Sequence, residues 1–147
     1  MSKDHEVHMR RAIELARAQA GRTGVNPPVG CVIIGPDGKR ISEGATADGG
    51  TPHAEEMALG AQTVENAKGA VAYVTLEPCR ERSKGGASCS QRLIEAGVAS
   101  VVIAVMDRHP NGSGGAAALE KAGIAVETGL LAPEAAPLYE EFFAALD

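Results

Sequence analysis

Two short stretches of the chain carry side chains that could hold a metal ion and act on a water molecule. His53 and Glu55 stand two positions apart, and Cys79 follows Pro78, with nine residues between Cys79 and Cys89. One imidazole and two thiolates form the ligand set of a catalytic zinc, whose fourth position is left for water. A carboxylate beside that water can move protons on and off it. We therefore expect one Zn²⁺ per chain, bound by the histidine and the two cysteines, with Glu55 as the catalytic acid and base.

Each of these residues has a simpler interpretation when it is taken alone. A lone histidine is more often a surface or capping residue, and Glu55 could be an ordinary acid that the helix dipole favours in a first turn. The two cysteines could be inert core thiols, and a disulfide between them is disfavoured in a reducing cytosol. A structural zinc would need a fourth protein ligand. Candidates are His5, His8 and His109, but nothing in the sequence brings them near, so we favour a catalytic zinc.

Composition and charge limit the classes of function. The 147 residues suit one domain, and we expect it to cover 1–147. A net charge of -5 and an aromatic content of 3% argue against binding of nucleic acid. No apolar run approaches the ~20 residues that span a bilayer, and no signal peptide is evident, so we expect a cytoplasmic protein that does not bind membranes. Cys31 lies in the apolar run 29–34 and is interpreted as a small buried hydrophobe rather than a third thiolate ligand.

The hydrophobic pattern predicts strands and helices that place the ligands at one edge of a sheet. Strands are predicted at 29–34, 39–46, 70–76, 99–105 and 124–128, helices at 3–20, 53–66, 89–97, 116–122 and 133–146, and a flexible loop at 48–52. A hairpin followed by strand–helix units indicates an α/β fold, a three-layer α/β/α sandwich with a mixed five-stranded sheet. His53 and Cys89 then begin helices and Cys79 follows a strand, where open α/β sheets gather their ligands.

Segments spread over nearly the whole sequence match one family. They are 26–33, 52–59, 69–79, 94–98, 122–126 and 129–131. On these segments the chain resembles the cytidine-deaminase-like superfamily, and within it the deaminase domain of the riboflavin-biosynthesis deaminase–reductase. The His-Ala-Glu and Pro-Cys pieces are shared by many deaminases. The long gap between Cys79 and Cys89 is the narrower signal, because cytidine and transfer-RNA deaminases usually have a short Pro-Cys-x-x-Cys.

The resemblance implies an activity and a set of substrate contacts. The family's domain hydrolytically removes an amino group from a diaminopyrimidinone ribosylamine phosphate and releases ammonia. The resemblance also implies that Asn26 contacts the ring or sugar, and that the Ala54 amide and the Pro78 carbonyl hold the ring and its amine. Cations in the following loop would bind the phosphate, although they could equally form a solvated charged surface. These cations are Arg80, Arg82 and Lys84.

Departures from the family pattern keep other functions open. The loop 80–88 is one residue longer than usual and differs in sequence, and we expect no reductase domain in the chain. The main alternative is a deaminase of another base or nucleoside, of cytosine, guanine or adenine type. A zinc-stabilised module without activity is disfavoured by Glu55, and transfer-RNA editing by the acidic composition. The resemblance also implies a homodimer or larger homo-oligomer, although the apolar face of 133–146 could equally close the core of one chain.

Overall fold

A mixed five-stranded sheet forms the centre of the protein. The computed structural model describes residues 2–60, 66–80, 88–108 and 113–145. The strands are β1 (Gly30–Ile34), β2 (Arg40–Ala45), β3 (Val71–Leu76), β4 (Ser100–Val105) and β5 (Ala125–Thr128). They lie in the order β2-β1-β3-β4-β5, with β1 antiparallel to both neighbours and β3, β4 and β5 parallel. The predicted mixed sheet is confirmed.

Helices cover both faces of this sheet. They are α1 (Ser2–Gln19), α2 (Ala54–Ala58), α3 (Cys89–Ala96), α4 (Gly115–Lys121), α5 (Ala132–Ala135) and α6 (Glu140–Ala144), with 3-10 turns at Asp48–Gly50 and Ala136–Tyr139. No helix among the described residues has the length and apolar character needed to cross a membrane.

Both faces of the sheet are buried, because apolar side chains point alternately to each face along the strands. In β1, Cys31 and Ile33 belong to one core cluster, whereas Val32 and Ile34 belong to the other. Helix α1 covers the second cluster, and α2, α3 and α4 contribute to the first. The three-layer α/β/α sandwich predicted from the sequence is therefore confirmed.

Helix α2 is shorter than the predicted helix 53–66. It ends at Ala58, because Leu59 leaves the helical conformation with φ -98° and ψ 47°. The next residue is Gly60, which is unfavourable in a helix interior. Met57 in α2 is 50% exposed, whereas Ala58 beside it is fully buried. Residues 61–65 lie outside the described part of the chain.

The predicted helix 133–146 is instead three short segments. Helix α5, the 3-10 turn Ala136–Tyr139 and helix α6 follow one another, because Pro137 lacks an N–H and its ring disfavours a continuous helix. The break lets Tyr139 point into the core, where it is fully buried. Leu138 packs against both core clusters, so this segment helps to close the core of the single chain.

The segment 48–52, predicted to be a flexible loop, is tied to its surroundings by backbone hydrogen bonds. The Gly49 N–H donates to the carbonyl of Arg22 at 2.8 Å, and the Ala47 N–H donates to that of Pro52 at 3.0 Å. This segment leads directly to His53 and therefore helps to fix where α2 begins.

Candidate metal centre and active site

His53 is the residue immediately before α2. Its backbone is extended, with φ -71° and ψ 163°, so its side chain projects from the start of the helix. Its backbone N–H donates to Oε1 of Glu56 at 3.2 Å. This bond is one half of a capping box, in which a side chain three residues into the helix satisfies the N–H before it. The sequence-predicted position of the histidine, at a helix start, is correct.

Cys79 and Cys89 are brought together by the end of β3 and the start of α3. The Ser88 side chain caps α3 by accepting the Gln91 N–H at 3.1 Å. The Cys89 N–H donates to Sγ of Cys79 at 3.2 Å, and the Ser90 hydroxyl donates to the Cys79 carbonyl at 2.9 Å. The two sulfurs therefore meet at a helix start, although nine residues separate them in the chain.

The imidazole and the two thiols form one compact cluster. Their ligand atoms all lie within 4.8 Å of one another, and Nδ1 of His53 is 3.3 Å from Sγ of Cys89. One nitrogen and two sulfurs are donors that suit zinc, and three protein ligands leave a position for water. Within the described residues this is the single cluster of this kind. Cys31, His5 and His8 lie outside it, and His109 falls outside the described residues.

The two thiols of the cluster differ in acidity. The hydrogen bond from the Cys89 thiol, followed by smaller contributions from His53 and the Cys89 N–H, lowers the pKa of Cys79 to about 4. That same bond and burial raise the pKa of Cys89 well above its ordinary value. The protein groups alone thus favour one thiolate and one thiol. A bound cation favours the thiolate form of both, because thiolates are the metal ligands.

Glu55 is a buried carboxyl beside the cluster. It is 3% exposed and is not one of the three clustered residues. Burial first, and the negative charge of Cys79 second, raise its pKa to about 7. A carboxyl with this pKa is suited to accept and return a proton near neutral pH.

Glu77 organises the backbone next to the cluster, a role that the sequence analysis missed. It is 4% exposed, and its carboxylate accepts the N–H groups of Asp107 (3.1 Å), Gly114 (3.2 Å) and Ala116 (2.8 Å). These bonds tie the residue before Pro78 to the loop after β4 and to the start of α4. An acid directly after a buried strand was the available signal, but its partners lie 30 or more positions away.

Four of the six predicted substrate contacts lie in the part of the chain that the structure describes. Asn26 Nδ2 donates to the Gly50 carbonyl at 2.9 Å, and Ala54 is buried at the first position of α2. A Cβ on Gly115 would lie 1.7 Å from the Pro78 carbonyl oxygen, which therefore packs against α4. The exposed Arg80 lies across Gly114. The other two predicted phosphate contacts, Arg82 and Lys84, lie outside the described residues.

The sequence profile of the cytidine and deoxycytidylate deaminase zinc-binding region matches residues 2–105. The chain belongs to this family. Membership and the His53, Cys79 and Cys89 cluster confirm the predicted zinc cofactor. The prediction of a zinc-dependent hydrolytic deaminase is confirmed at the level of the family.

Several proteins similar to this chain are named as deaminases or as deaminase/reductases. The chain is 42% identical to the diaminohydroxyphosphoribosylamino-pyrimidine deaminase of Buchnera aphidicola subsp. Acyrthosiphon pisum, over 92% of this chain and 91% of that protein. It superposes with a TM-score of 0.90 on a Thermotoga maritima diaminohydroxyphosphoribosylaminopyrimidine deaminase/5-amino-6-(5-phosphoribosylamino)uracil reductase, at 39% identity, covering 97% of this chain and 41% of that one. The Aspergillus oryzae Rib2 deaminase in complex with DARIPP gives a TM-score of 0.71 at 25% identity, with 98% of both chains covered.

Relatives named RibD are longer than this deaminase chain. The chain spans about two fifths of the length of the curated RibD proteins that it matches. The resemblance to the riboflavin-type deaminases, which rests on segments along nearly the whole chain with the long gap between the cysteines as its narrower signal, is confirmed by these relatives.

Proposed function

We propose that this protein hydrolytically deaminates the diaminopyrimidinone ribosylamine phosphate of riboflavin biosynthesis. In this reaction the bond between a ring carbon and its exocyclic amino group is replaced by a C–O bond from water, and ammonia is released. The observation that carries the proposal is the 42% identity to the Buchnera deaminase, of which the chain spans 91%. The similarity to the Aspergillus oryzae deaminase that binds DARIPP supports the same class of substrate.

The cluster and Glu55 divide the chemistry between them. His53, Cys79 and Cys89 would hold the zinc, which would supply a Lewis acid that lowers the pKa of a water molecule towards neutral. Glu55 would take up one proton from the attacking water and give it to a ring nitrogen, and would then take up the second proton, from the hydroxyl now bonded to the ring carbon, and give it to the leaving amine. The burial that raises its pKa to about 7 suits both steps, because the carboxyl can be charged or neutral at the working pH.

The remaining predicted residues would hold the substrate. We propose that the Ala54 N–H faces the ring, since the first N–H groups of a helix have no partner within the helix. Asn26 would border the sugar from the loop before β1, and the Pro78 carbonyl would meet the amine. The Arg80 side chain lies against Gly114, the residue before α4, where its guanidinium would pair with the phosphate.

We propose one deaminase domain over residues 1–147. The family profile ends at residue 105, but Tyr139 is fully buried and its hydroxyl donates to the Pro28 carbonyl at 2.8 Å. The last segment is thus part of the same core. We also propose a homo-oligomer, for which the exposed apolar side chains of Val25 (93%) and Met57 (50%) give support.

Ammonia release across a substrate panel tests the proposed substrate. The panel contains the ribosylamine phosphate, its dephosphorylated form, cytosine, cytidine, guanine and adenine. We expect turnover of the phosphate, and a lower kcat/KM without the phosphate group. Arg80→Met should reduce kcat/KM for the phosphorylated substrate and leave that for the dephosphorylated one nearly unchanged.

One outcome of the same assay would contradict the proposed substrate. Brisk turnover of a free base or nucleoside, with none of the ribosylamine phosphate, would show a deaminase of different specificity. Arg10→Met serves as the control, because Arg10 pairs with Glu6 and Glu134 on the surface. Its kinetics should match those of the unmodified protein with every substrate.

A further inference from the structure

Glu56 touches both of the helices that present metal ligands. Its Oε1 accepts the backbone N–H of His53 at 3.2 Å, and its Oε2 lies 3.4 Å from Nη2 of Arg92. Glu56 is in the first turn of α2, three residues after His53, and Arg92 lies in α3, three residues after Cys89. One carboxylate therefore links the residue that carries the imidazole to the helix that carries a thiol.

The surroundings of Arg92 make this contact more than a surface ion pair. The Glu56 side chain is 16% exposed and that of Arg92 is 38% exposed. Nε of Arg92 is buried and has no acceptor within the described residues. Packing therefore confines the guanidinium. It contacts the Glu56 carboxylate at a partly buried position, where water screens the two charges less than at an exposed ion pair.

A change in the contact between Glu56 and Arg92 should alter the distance between the metal-binding side chains of His53 and Cys89. His53 Nδ1 is 3.3 Å from Sγ of Cys89, so a small shift between the starts of α2 and α3 alters the ligand separation directly. Residues that orient metal ligands affect metal affinity even though they do not touch the ion.

We propose that Glu56 and Arg92 act as positioning residues, which set the distance between His53 and Cys89 and so govern how tightly the protein retains zinc. The inference rests on the zinc site of the proposed function, and it does not depend on the substrate. Arg92 is the partner that can be changed with least risk to the fold, because it does not cap a helix.

Zinc release and the spectrum of the cobalt-substituted protein test this role. The variants are Glu56→Gln, which keeps an oxygen for the His53 N–H, Arg92→Met, Arg92→Lys and the double variant Glu56→Gln/Arg92→Met. Arg10→Met is the matched control, since it removes an exposed arginine of α1 from two surface ion pairs, one with Glu6 in the same helix and one with Glu134 in α5. The measurements are the rate of zinc loss to excess chelator, the visible absorption of bound Co²⁺, and the melting temperature of the metal-free protein.

We expect Glu56→Gln and Arg92→Met each to accelerate zinc loss about 10-fold and to alter the cobalt absorption bands. The double variant should lose zinc no faster than the faster of the two single variants, because both changes break the same contact. Arg92→Lys should recover part of the retention, and Arg10→Met should leave it unchanged.

A purely structural role would give a different pattern. The proposal is overturned if the metal-free variants melt at lower temperature while zinc loss stays within about twofold of the unmodified protein and the cobalt spectra are identical. If Glu56→Gln does not fold, the comparison of Arg92→Met with Arg92→Lys decides. Failure of the unmodified protein to bind either metal would instead contradict the proposed function.

Discussion

Cys31, Cys79 and Cys89 have the same side chain, but their surroundings give them different chemistry. Cys31 is fully buried, and burial raises its pKa well above the ordinary range. Cys79 is partly exposed and has a pKa of about 4 because Cys89 and His53 donate hydrogen bonds to it. Since the thiolate is the reactive form, only one of these residues should react readily in the folded protein.

Alkylation at pH 6 should reveal this difference once zinc is removed. In protein treated with a chelator, iodoacetamide should modify Cys79 first, because its lowered pKa leaves it a thiolate at a pH where an ordinary cysteine is protonated. Cys31 should react only after unfolding, and zinc should protect Cys79. Peptide mass spectrometry gives the extent at each site. Equal labelling of Cys31 and Cys79 in the folded protein would contradict the assigned environments.

At the residue scale, the sequence revealed the ligands but not the residues that position them. His53, Cys79 and Cys89 could be predicted because their types and spacing are distinctive. The contacts of Glu56 with Arg92 and of Glu77 with three N–H groups could not, since these partners lie 30 or more positions away along the chain. Acidic residues at a helix start or strand end have ordinary interpretations, and only the folded chain distinguishes them.

At the scale of elements, the contact between α4 and the end of β3 leaves no room for a side chain. A Cβ on Gly115 would lie 1.7 Å from the carbonyl oxygen of Pro78. Gly115→Ala should therefore displace the segment that carries Cys79, destabilise the fold by about 1–3 kcal/mol and lower zinc content. Urea denaturation and metal analysis measure both. Gly60→Ala is the control, because among the described residues no atom beyond the chain neighbours lies within 4 Å of its added Cβ. Equal effects at the two sites would contradict the close packing.

Helix α1 is held to strand β2 by an ion pair whose strength depends on pH. Arg11 Nη2 lies 2.6 Å from Glu43 Oε1, and this hydrogen bond is the main cause that lowers the pKa of Glu43 from 4.5. A lowered pKa stabilises the fold above the ordinary pKa of the carboxyl, and the stabilisation is lost as the pH falls through the lowered value. The pair should contribute about 0.5–1 kcal/mol, because Arg11 is 41% exposed.

Glu43→Gln measures this contribution. Near pH 7 the variant should be less stable than the unmodified protein by that amount, and the two should converge as the pH drops below the ordinary pKa of 4.5. Urea denaturation over a pH series gives the free energies of unfolding. Glu95→Gln, which changes an exposed acid on α3, is the control for the removal of one carboxylate from the surface. A gap between Glu43→Gln and the unmodified protein that widens in acid would contradict the sign of the effect.

Strands β1, β3 and β4 were predictable because nearly unbroken apolar runs become strands buried on both faces. The lengths of the helices around the site were not. Helical spacing suggested a helix to residue 66, but the chain leaves the helix at Leu59, before Gly60. Pro137 argues against one continuous helix over 133–146. The sequence does not show, however, that the break places the Tyr139 side chain in the core.

At the scale of the whole molecule, Tyr139 joins the last segment of the chain to the loop before β1. Its hydroxyl donates to the Pro28 carbonyl at 2.8 Å and lies 2.7 Å from Thr75 Oγ1, and burial raises its pKa, so it stays protonated. Tyr139→Phe should lower the free energy of unfolding by about 1–3 kcal/mol, since buried polar partners lose a hydrogen bond. Tyr73→Phe, on the opposite face of the sheet, is the control and should cost less, because its hydroxyl partner His5 is only partly buried. Equal stability of Tyr139→Phe and the unmodified protein would contradict this anchoring role.

The proposed site combines three clustered metal-binding side chains with a buried carboxyl beside them, and Glu55→Gln tests that proposal most directly. The measurement is the rate of ammonia release together with zinc content per chain. The account predicts one zinc per chain and a rate about 10²–10⁴-fold lower, because the amide cannot transfer the proton. An unchanged rate with zinc still bound would contradict it.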